Sequence, residues 1–339
     1  MLLWEKGRWS EPALLRGPMG LTGGLAFPAP DTLVTVSADA SARWWTVPPP
    51  VEPSLFPNDM TGSHVWRPVW SPDGSLVTLA AHFGINSEDR KTRGVLWDVA
   101  RKAPRFTWDE IGVAFSQDSR RVLTVENHRI YRERDTTSGA ELRRFTLDRD
   151  GGLRLPRVSP DWRWIVQWHA PGEGTLYQLA TGKAVAALDG GSDAAFSPDS
   201  RTLAREVDRH LVLRDLATGN ERRTDVPCHL AIAWSPDGRE LATRDDSVVH
   251  LVEAATGRES AQLPGTGARL GVMLYLPDGR TLLTTGEDGA VRLWNRPTLR
   301  ETITLATMDG GAFYCAVSPD GRTILAGGAR GYRFFTVAP

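Results

Sequence analysis

The sequence predicts an all-β chain in which one antiparallel four-stranded unit is repeated from end to end. Three observations predict it. A Ser-Pro-Asp-Gly turn string recurs at nearly constant spacing, and a second string rich in Trp follows most copies by 15 or 16 residues. No segment holds a helical period over about 11 residues or more.

The turn string reads Ser71-Pro72-Asp73-Gly74, Ser197-Pro198-Asp199-Ser200, Ser235-Pro236-Asp237-Gly238 and Ser318-Pro319-Asp320-Gly321. Its variants are Ser116-Gln117-Asp118-Ser119, Ser159-Pro160-Asp161-Trp162 and Leu276-Pro277-Asp278-Gly279, with a weaker copy at Phe27-Pro28-Ala29-Pro30. Successive anchors stand 44, 45, 43, 38, 38, 41 and 42 residues apart, so eight copies fill the chain and one repeat domain over 1–339 is favoured over two unrelated ones. Proline presets φ for the first turn position, Asp bonds the local backbone and Gly takes φ > 0. Apolar runs flank the turn, as in Leu230-Ala231-Ile232-Ala233-Trp234 before it and Glu240-Leu241-Ala242-Thr243 after it, so it joins two strands.

The second string, such as Val291-Arg292-Leu293-Trp294 or Val95-Leu96-Trp97-Asp98, is a third strand. A third string, Ala217-Thr218-Gly219-Asn220 or Ala255-Thr256-Gly257-Arg258, turns it into a fourth. The repeats fall at 22–64, 65–110, 111–151, 152–190, 191–227, 228–267, 268–309 and 310–339, with 1–21 as an N-terminal closing region. One such sheet cannot bury both its faces, but copies packed radially in a ring do, which predicts a β-propeller. Eight blades are expected, with seven as the alternative. The last repeat lacks a fourth strand, and residues 12–16 are expected to supply it. Leu2-Leu3-Trp4-Glu5 also reads as a third strand, which places residues 1–9 outside the ring or makes the chain the end of a longer propeller protein.

Together these strings resemble the WD-repeat β-propeller family, in the degenerate form common in large bacterial proteins. The blade-ending Trp-Asp pair is complete only at Trp97-Asp98 and drifts to Trp294-Asn295, Trp45-Thr46, Arg134-Asp135, Arg214-Asp215, Val252-Glu253 and Tyr177-Gln178. The family's Gly-His dipeptide is absent, and with it the His leg of the His–Asp–Ser/Thr–Trp network that locks its blades. The resemblance implies structural roles for Trp45, Trp97, Asp98 and Trp294, and partial networks through Asp39 with Ser37 and through Asp288 with Thr285. It also implies a non-catalytic protein-interaction scaffold.

Composition narrows the function further. At 41% hydrophobic, 24% charged and net charge −1, the chain has material for a core and is not a disordered tail. No apolar run approaches the ~18 residues of a membrane span, and no signal-peptide core is present, so a cytoplasmic address is expected. Cys228 and Cys315 are too few for a disulfide framework and are expected as buried residues of first strands. No metalloprotease, nucleophile-elbow, P-loop or Cys-x-x-Cys motif occurs, and no two of the seven histidines share a ligand-like spacing, so no cofactor or metal is expected.

Two departures from the repeat mark a candidate partner site. Repeat 2 has about eight extra residues between its second and third strands, and repeat 1 ends in a Pro-rich connection. Both loop types emerge on one face in the family's strand order. Recognition concentrates on loops held by a rigid frame, so His64, Trp66, His82, Phe83, Asn86, Arg90 and Arg93 are the candidate contacts. Residues 90–163 carry 17 Arg or Lys against 11 Asp or Glu, a local +6 that suits an acidic partner. Basic and acidic residues alternate there rather than forming a stripe, which argues against nucleic acid. A protein partner of a monomer is expected. The alternatives are an enzyme or small-ligand binder using the central channel, or the docking part of a larger signalling protein.

Overall fold

The structure is a computed structural model. It describes five strands within residues 2–46, and residues 64–336 except 84–90, 153–154, 171, 192, 230, 246–247, 265–269, 308–311 and 329–330. Every regular element described is a β-strand, and each sheet runs as an antiparallel meander.

Strands β1 (Leu2–Glu5) and β2 (Arg8–Leu14) pair as a hairpin, and β3 (Thr22–Ala29), β4 (Thr32–Ser37) and β5 (Ala42–Thr46) form the three-stranded sheet of repeat 1. In repeat 2 the first strand is split into β6 (His64–Val65) and β7 (Val69–Trp70). Both pair with β8 (Leu76–Phe83), which is followed by β9 (Lys91–Asp98) and β10 (Ala103–Trp108). Repeat 3 holds β11 (Ile111–Phe115), β12 (Arg121–Glu126), β13 (Ile130–Asp135) and β14 (Glu141–Thr146). Repeat 4 holds β15 (Arg157–Val158), β16 (Trp164–Ala170), β17 (Glu173–Gln178) and β18 (Lys183–Asp189). Repeat 5 holds β19 (Ala194–Phe196), β20 (Thr202–Val207), β21 (His210–Asp215) and β22 (Glu221–Pro227). Repeat 6 holds β23 (Ile232–Trp234), β24 (Glu240–Arg244), β25 (Val249–Glu253) and β26 (Glu259–Leu263). Repeat 7 holds β27 (Leu270–Tyr275), β28 (Thr281–Gly286), β29 (Ala290–Asn295) and β30 (Arg300–Thr307). Repeat 8 holds β31 (Ala312–Val317), β32 (Thr323–Gly328) and β33 (Gly331–Thr336). The described residues thus form an all-β propeller with six blades of four-stranded antiparallel sheet, at repeats 2 to 7.

The turn string closes each first hairpin by the same hydrogen bonds. In repeat 2 the Ser71 hydroxyl donates to Asp73 Oδ1 at 2.6 Å and accepts the Leu76 N–H at 2.9 Å. The serine-to-aspartate bond recurs at Ser116, Ser159, Ser197, Ser235 and Ser318. The fourth turn position holds positive φ, which Gly adopts freely, yet Ser119, Trp162 and Ser200 adopt it at 59°, 60° and 59°. Trp162 therefore lies in the turn, before β16 begins at Trp164.

Middle strands are buried on both faces, as in β12, β20 and β25, whereas outer strands such as β14 expose alternate residues. That pattern places the core between blades. Val166, Trp168 and Leu176 of repeat 4 pack on Ala194 and Leu203 of repeat 5, and Leu211 and Leu213 of repeat 5 pack on Leu241 and Val252 of repeat 6. Each Val or Leu among these contributes about 1.5–3 kcal/mol when fully buried. Leu283 and Val291 of repeat 7 meet Ile324 and Ala326 of repeat 8, and Leu325 of repeat 8 meets Val77, Leu79 and Val95 of repeat 2. The first strands touch in the order β7, β11, β15, β19, β23, β27, β31, and β31 touches β7.

Six four-stranded blades are described, against the eight expected, and at the repeat 8–repeat 2 junction Leu325 packs on Val77 and Leu79. Among the described strands, residues 12–14 of β2 pair with β1, and the sheet of repeat 8 is β31–β32–β33, without the fourth strand expected from residues 12–16. The spacing of first-strand turns counts sheets, but it carries no information about which sheets touch.

Candidate functional site

The candidate contacts gather at one end of the repeat-2 sheet. Backbone register sets His64 opposite His82, and His82 opposite Thr92. Phe83 pairs with Lys91 and Ala81 with Arg93, so the connection 84–90 is mounted on the ends of β8 and β9. Arg93 is exposed. Asn86 and Arg90 lie outside the described residues, as do the side chains of His64, His82 and Phe83 and the repeat-1 connection 47–63.

Trp66 lies beneath this end. Its N–H donates to the Ala80 carbonyl at 2.8 Å, its side chain is 7% exposed, and its ring meets His128 edge-on at 5.6 Å. It packs between repeats 2 and 3 with Ile111 and Leu123. Burial pushes the His128 imidazole below its ordinary pKa, so this neighbour is neutral at pH 7.

The blade-ending positions explain the drift in the Trp-Asp pair. Asp98 Oδ1 accepts the Arg101 N–H at 3.0 Å, and its carboxylate pairs with Arg105 at 3.1 Å. Asp135 and Asp215 accept N–H groups of Ser138 and Thr218, both at 2.7 Å, and Asn295 accepts that of Thr298 at 3.0 Å. Gln178 and Glu253 accept the hydroxyls of Thr181 and Thr256. The residue type changes, but a side-chain oxygen holding the third-to-fourth-strand turn is kept. Trp97 is buried against Val77 and Val95. Trp45 lies on β5 opposite Leu33, with its side chain outside the described residues, and Asp39 is outside them altogether.

In repeat 7 the indole N–H of Trp294 donates to Thr284 Oγ1 at 2.8 Å. The sequence points to Thr285, but that hydroxyl accepts the Val272 N–H at 2.9 Å. Asp288 binds the Arg292 guanidinium and accepts the Ala290 N–H at 3.1 Å, so Arg292 supplies a side-chain donor to Asp288 where the His is missing. The Arg292 hydrogen bond holds the Asp288 carboxyl below its usual range.

Repeat 3 replaces this network with ions, which the sequence reading missed. Arg134 occupies the register position of Trp294 and binds Glu110 through Nε at 3.0 Å and Nη2 at 2.6 Å. Thr124, at the register position of Thr284, donates to Glu110, and Arg132 reaches it at 2.9 Å. Burial pushes the Glu110 carboxyl up, but hydrogen bonds from Arg134 and Thr124 and the nearby positive charges outweigh it, so its pKa falls. An acidic residue beside the first strand, together with Arg in place of Trp, was the available signal. Further pairs, Arg121–Glu133, Arg143–Glu133 and Arg144–Glu141, balance much of the basic excess of this sector internally.

Among the described residues no three His, Cys, Asp or Glu side chains are grouped to hold a metal ion, and no helix is long and apolar enough to cross a membrane. Cys315 lies on the first strand β31 as expected, whereas Cys228 directly follows β22 and is not on a first strand; burial pushes both thiols up to about 12. Residues 262–295 match the family described as WD domain, G-beta repeat. That segment includes Thr284, Asp288 and Trp294, the repeat that keeps its tryptophan network. No curated protein matches the chain. The chain is a β-propeller, one repeat of which, at residues 262–295, matches the WD40 model.

Proposed function

We propose that the chain is a non-catalytic scaffold that presents one face of a rigid ring to a protein partner, as WD40 propellers commonly do. The observation that carries this reading is the end of the repeat-2 sheet. Register there brings His64, His82, Phe83 and Arg93 beside the connection that holds Asn86 and Arg90. The two strands that mount the connection are eight residues each, longer than most in the chain, so the loop stands on a firm base. Trp66, buried beneath, stiffens the platform, and the exposed Arg93 is an anchor of the type that interfaces use.

The proposed ring has seven sheets, repeats 2 to 8, with the repeat-1 sheet outside it. Support comes from the touching first strands and from the packing of Leu325 on Val77 and Leu79. The same spacing between neighbours recurs at the junction. A side-chain carbon on Gly74 would stand 3.6 Å from Pro319 Cδ, as one on Gly321 would stand 3.5 Å from Pro277 Cδ.

Deleting residues 84–90 tests the partner face. Proteins retained by the intact chain and by the deletion variant are compared by mass spectrometry, with circular dichroism and melting as folding controls. Loss of a retained partner with unchanged melting is expected; identical retained sets remove this loop from the interface.

A further inference from the structure

First strands of repeats 2, 3, 4, 7 and 8 enclose a cavity of about 450 Å³ at the end of the ring where the Ser-Pro-Asp turns lie. Its walls are largely apolar and aromatic, with Trp70, Phe115, Trp162 and Tyr275 among them. Two guanidinium groups, Arg67 and Arg157, also line it.

The two cations are not equivalent. Arg157 is neutralised by Asp193, with Nη2 2.6 Å and Nε 3.1 Å from Oδ1, and its Nε also reaches the Ala194 carbonyl at 3.2 Å. Arg67 has no hydrogen bond or ion pair among the described residues. The like charge of Arg157, then burial, lower its pKa to about 10, against the opposing pull of Asp193, so it stays charged at neutral pH. The Cys315 thiol beside it, pushed up to about 12 by burial, carries no balancing charge.

A second donor in the same wall is also unused. The indole N–H of Trp70 is buried and without an acceptor. Trp234, which occupies the same place in repeat 6, donates to the Ala195 carbonyl at 3.1 Å. The Trp162 N–H is committed to the Phe115 carbonyl at 2.6 Å, and the Tyr275 hydroxyl to Glu240 at 2.5 Å. A partly buried, unpaired guanidinium and an unsatisfied N–H in the wall of one cavity cost the fold free energy. An anion supplies what both groups lack.

We propose that this cavity binds a small organic anion, a carboxylate carrying an apolar ring or chain. Arg67 and the Trp70 N–H meet the charged head, and the aromatic and aliphatic walls take the body. The volume lies within the range of small-molecule sites, and the wall chemistry, mostly apolar with a few convergent donors, is of the kind such sites use. The site is separate from the partner loop, so deletion of 84–90 leaves it intact.

Calorimetric titration of the full chain at low salt tests this, with benzoate, benzyl alcohol and inorganic phosphate as probes. One benzoate per chain is expected, bound at least tenfold more tightly than the uncharged benzyl alcohol. Arg67→Met is expected to abolish that preference and to raise the melting temperature of the ligand-free chain, because a like-charge contact is removed. Trp70→Phe is expected to weaken benzoate several-fold. Asp193→Asn leaves Arg157 less neutralised and is expected to tighten benzoate, which keeps the test decisive if Arg67→Met fails to fold. Benzoate no tighter than benzyl alcohol, a preference that survives Arg67→Met, or no tightening in Asp193→Asn overturns the proposal. Phosphate bound as tightly as benzoate overturns the assignment to an organic anion.

Discussion

Ser119 and Ser200 hold left-handed backbone where other turns use Gly, and each has a use for its side chain. The Ser119 hydroxyl accepts the Asp73 N–H at 3.1 Å, and the Ser200 hydroxyl accepts the Asp161 N–H at 3.1 Å, so each ties its turn to the preceding blade. Ser119→Ala keeps the unfavourable φ and loses the bond, which is expected to cost about 1–2 kcal/mol in urea denaturation. Ser119→Gly loses the same bond but sheds roughly 1 kcal/mol of backbone strain, so it is expected to lie closer to wild type. An equal loss in both variants contradicts this reading of the turn. The turn aspartates add a pH dependence. Asp118, Asp199 and Asp320 accept the hydroxyl of the serine two places back and then a backbone N–H, which holds their carboxyls below the usual range. A folded pKa below the unfolded value of about 3.9 adds stability above that pH, and the gain is lost as pH falls through the depressed value. The urea midpoint is therefore expected to drop as pH is taken below about 4. Asp320→Asn is expected to make that drop shallower, and an unchanged profile contradicts the assignment.

Within a blade, the choice between an indole network and an ionic one has measurable consequences. Glu110→Ala leaves the half-buried Arg134 without a carboxylate, while Arg132 keeps Glu126 and Glu141, and is expected to cost about 1.5–3 kcal/mol. Replacing Glu110 and Arg134 together by Leu and Met is expected to cost much less, because no charge is stranded. Chemical denaturation of the three variants checks this, and equal losses contradict it. Trp294→Phe keeps the ring and loses only the bond to Thr284, so about 1 kcal/mol is expected by the same measurement. These elements also show where sequence reading reaches its limit. The Ser-Pro-Asp turns were legible because proline, aspartate and glycine act locally, and the strands they join follow directly. Thr284 was missed for Thr285 by one residue, and on a strand one residue is the opposite face. Trp294 pairs with Leu282, so its same-face neighbour two residues on is Thr284. Glu110 left only a weak trace, Arg134 in the place of Trp, because its partners Thr124 and Arg134 are distant in sequence and share no motif. Of the candidate contacts, the hairpin grouping His82, Phe83 and Arg93 was legible from an insertion between two strands, whereas the burial of Trp66 depends on repeat 3 and was not.

The molecule as a whole depends on sheets that hide their faces against one another. Repeats 2 to 7 supply the four-stranded blades, and repeat 8 joins repeat 7 to repeat 2 through Leu325, Ile324 and Ala326. Whether one more sheet is inserted there is a question of distance. Spin labels placed on Ser75→Cys and Arg322→Cys flank the contact between Gly74 and Pro319, and the two native thiols are buried and fully protonated at labelling pH. Double electron–electron resonance on the full chain is the most direct measurement. A single short distance is expected, matching that of an equivalent label pair across the repeat 7–repeat 8 turns. A distance longer by about 10 Å, the spacing of packed sheets, shows another blade between them and contradicts a ring closed by repeat 8 on repeat 2.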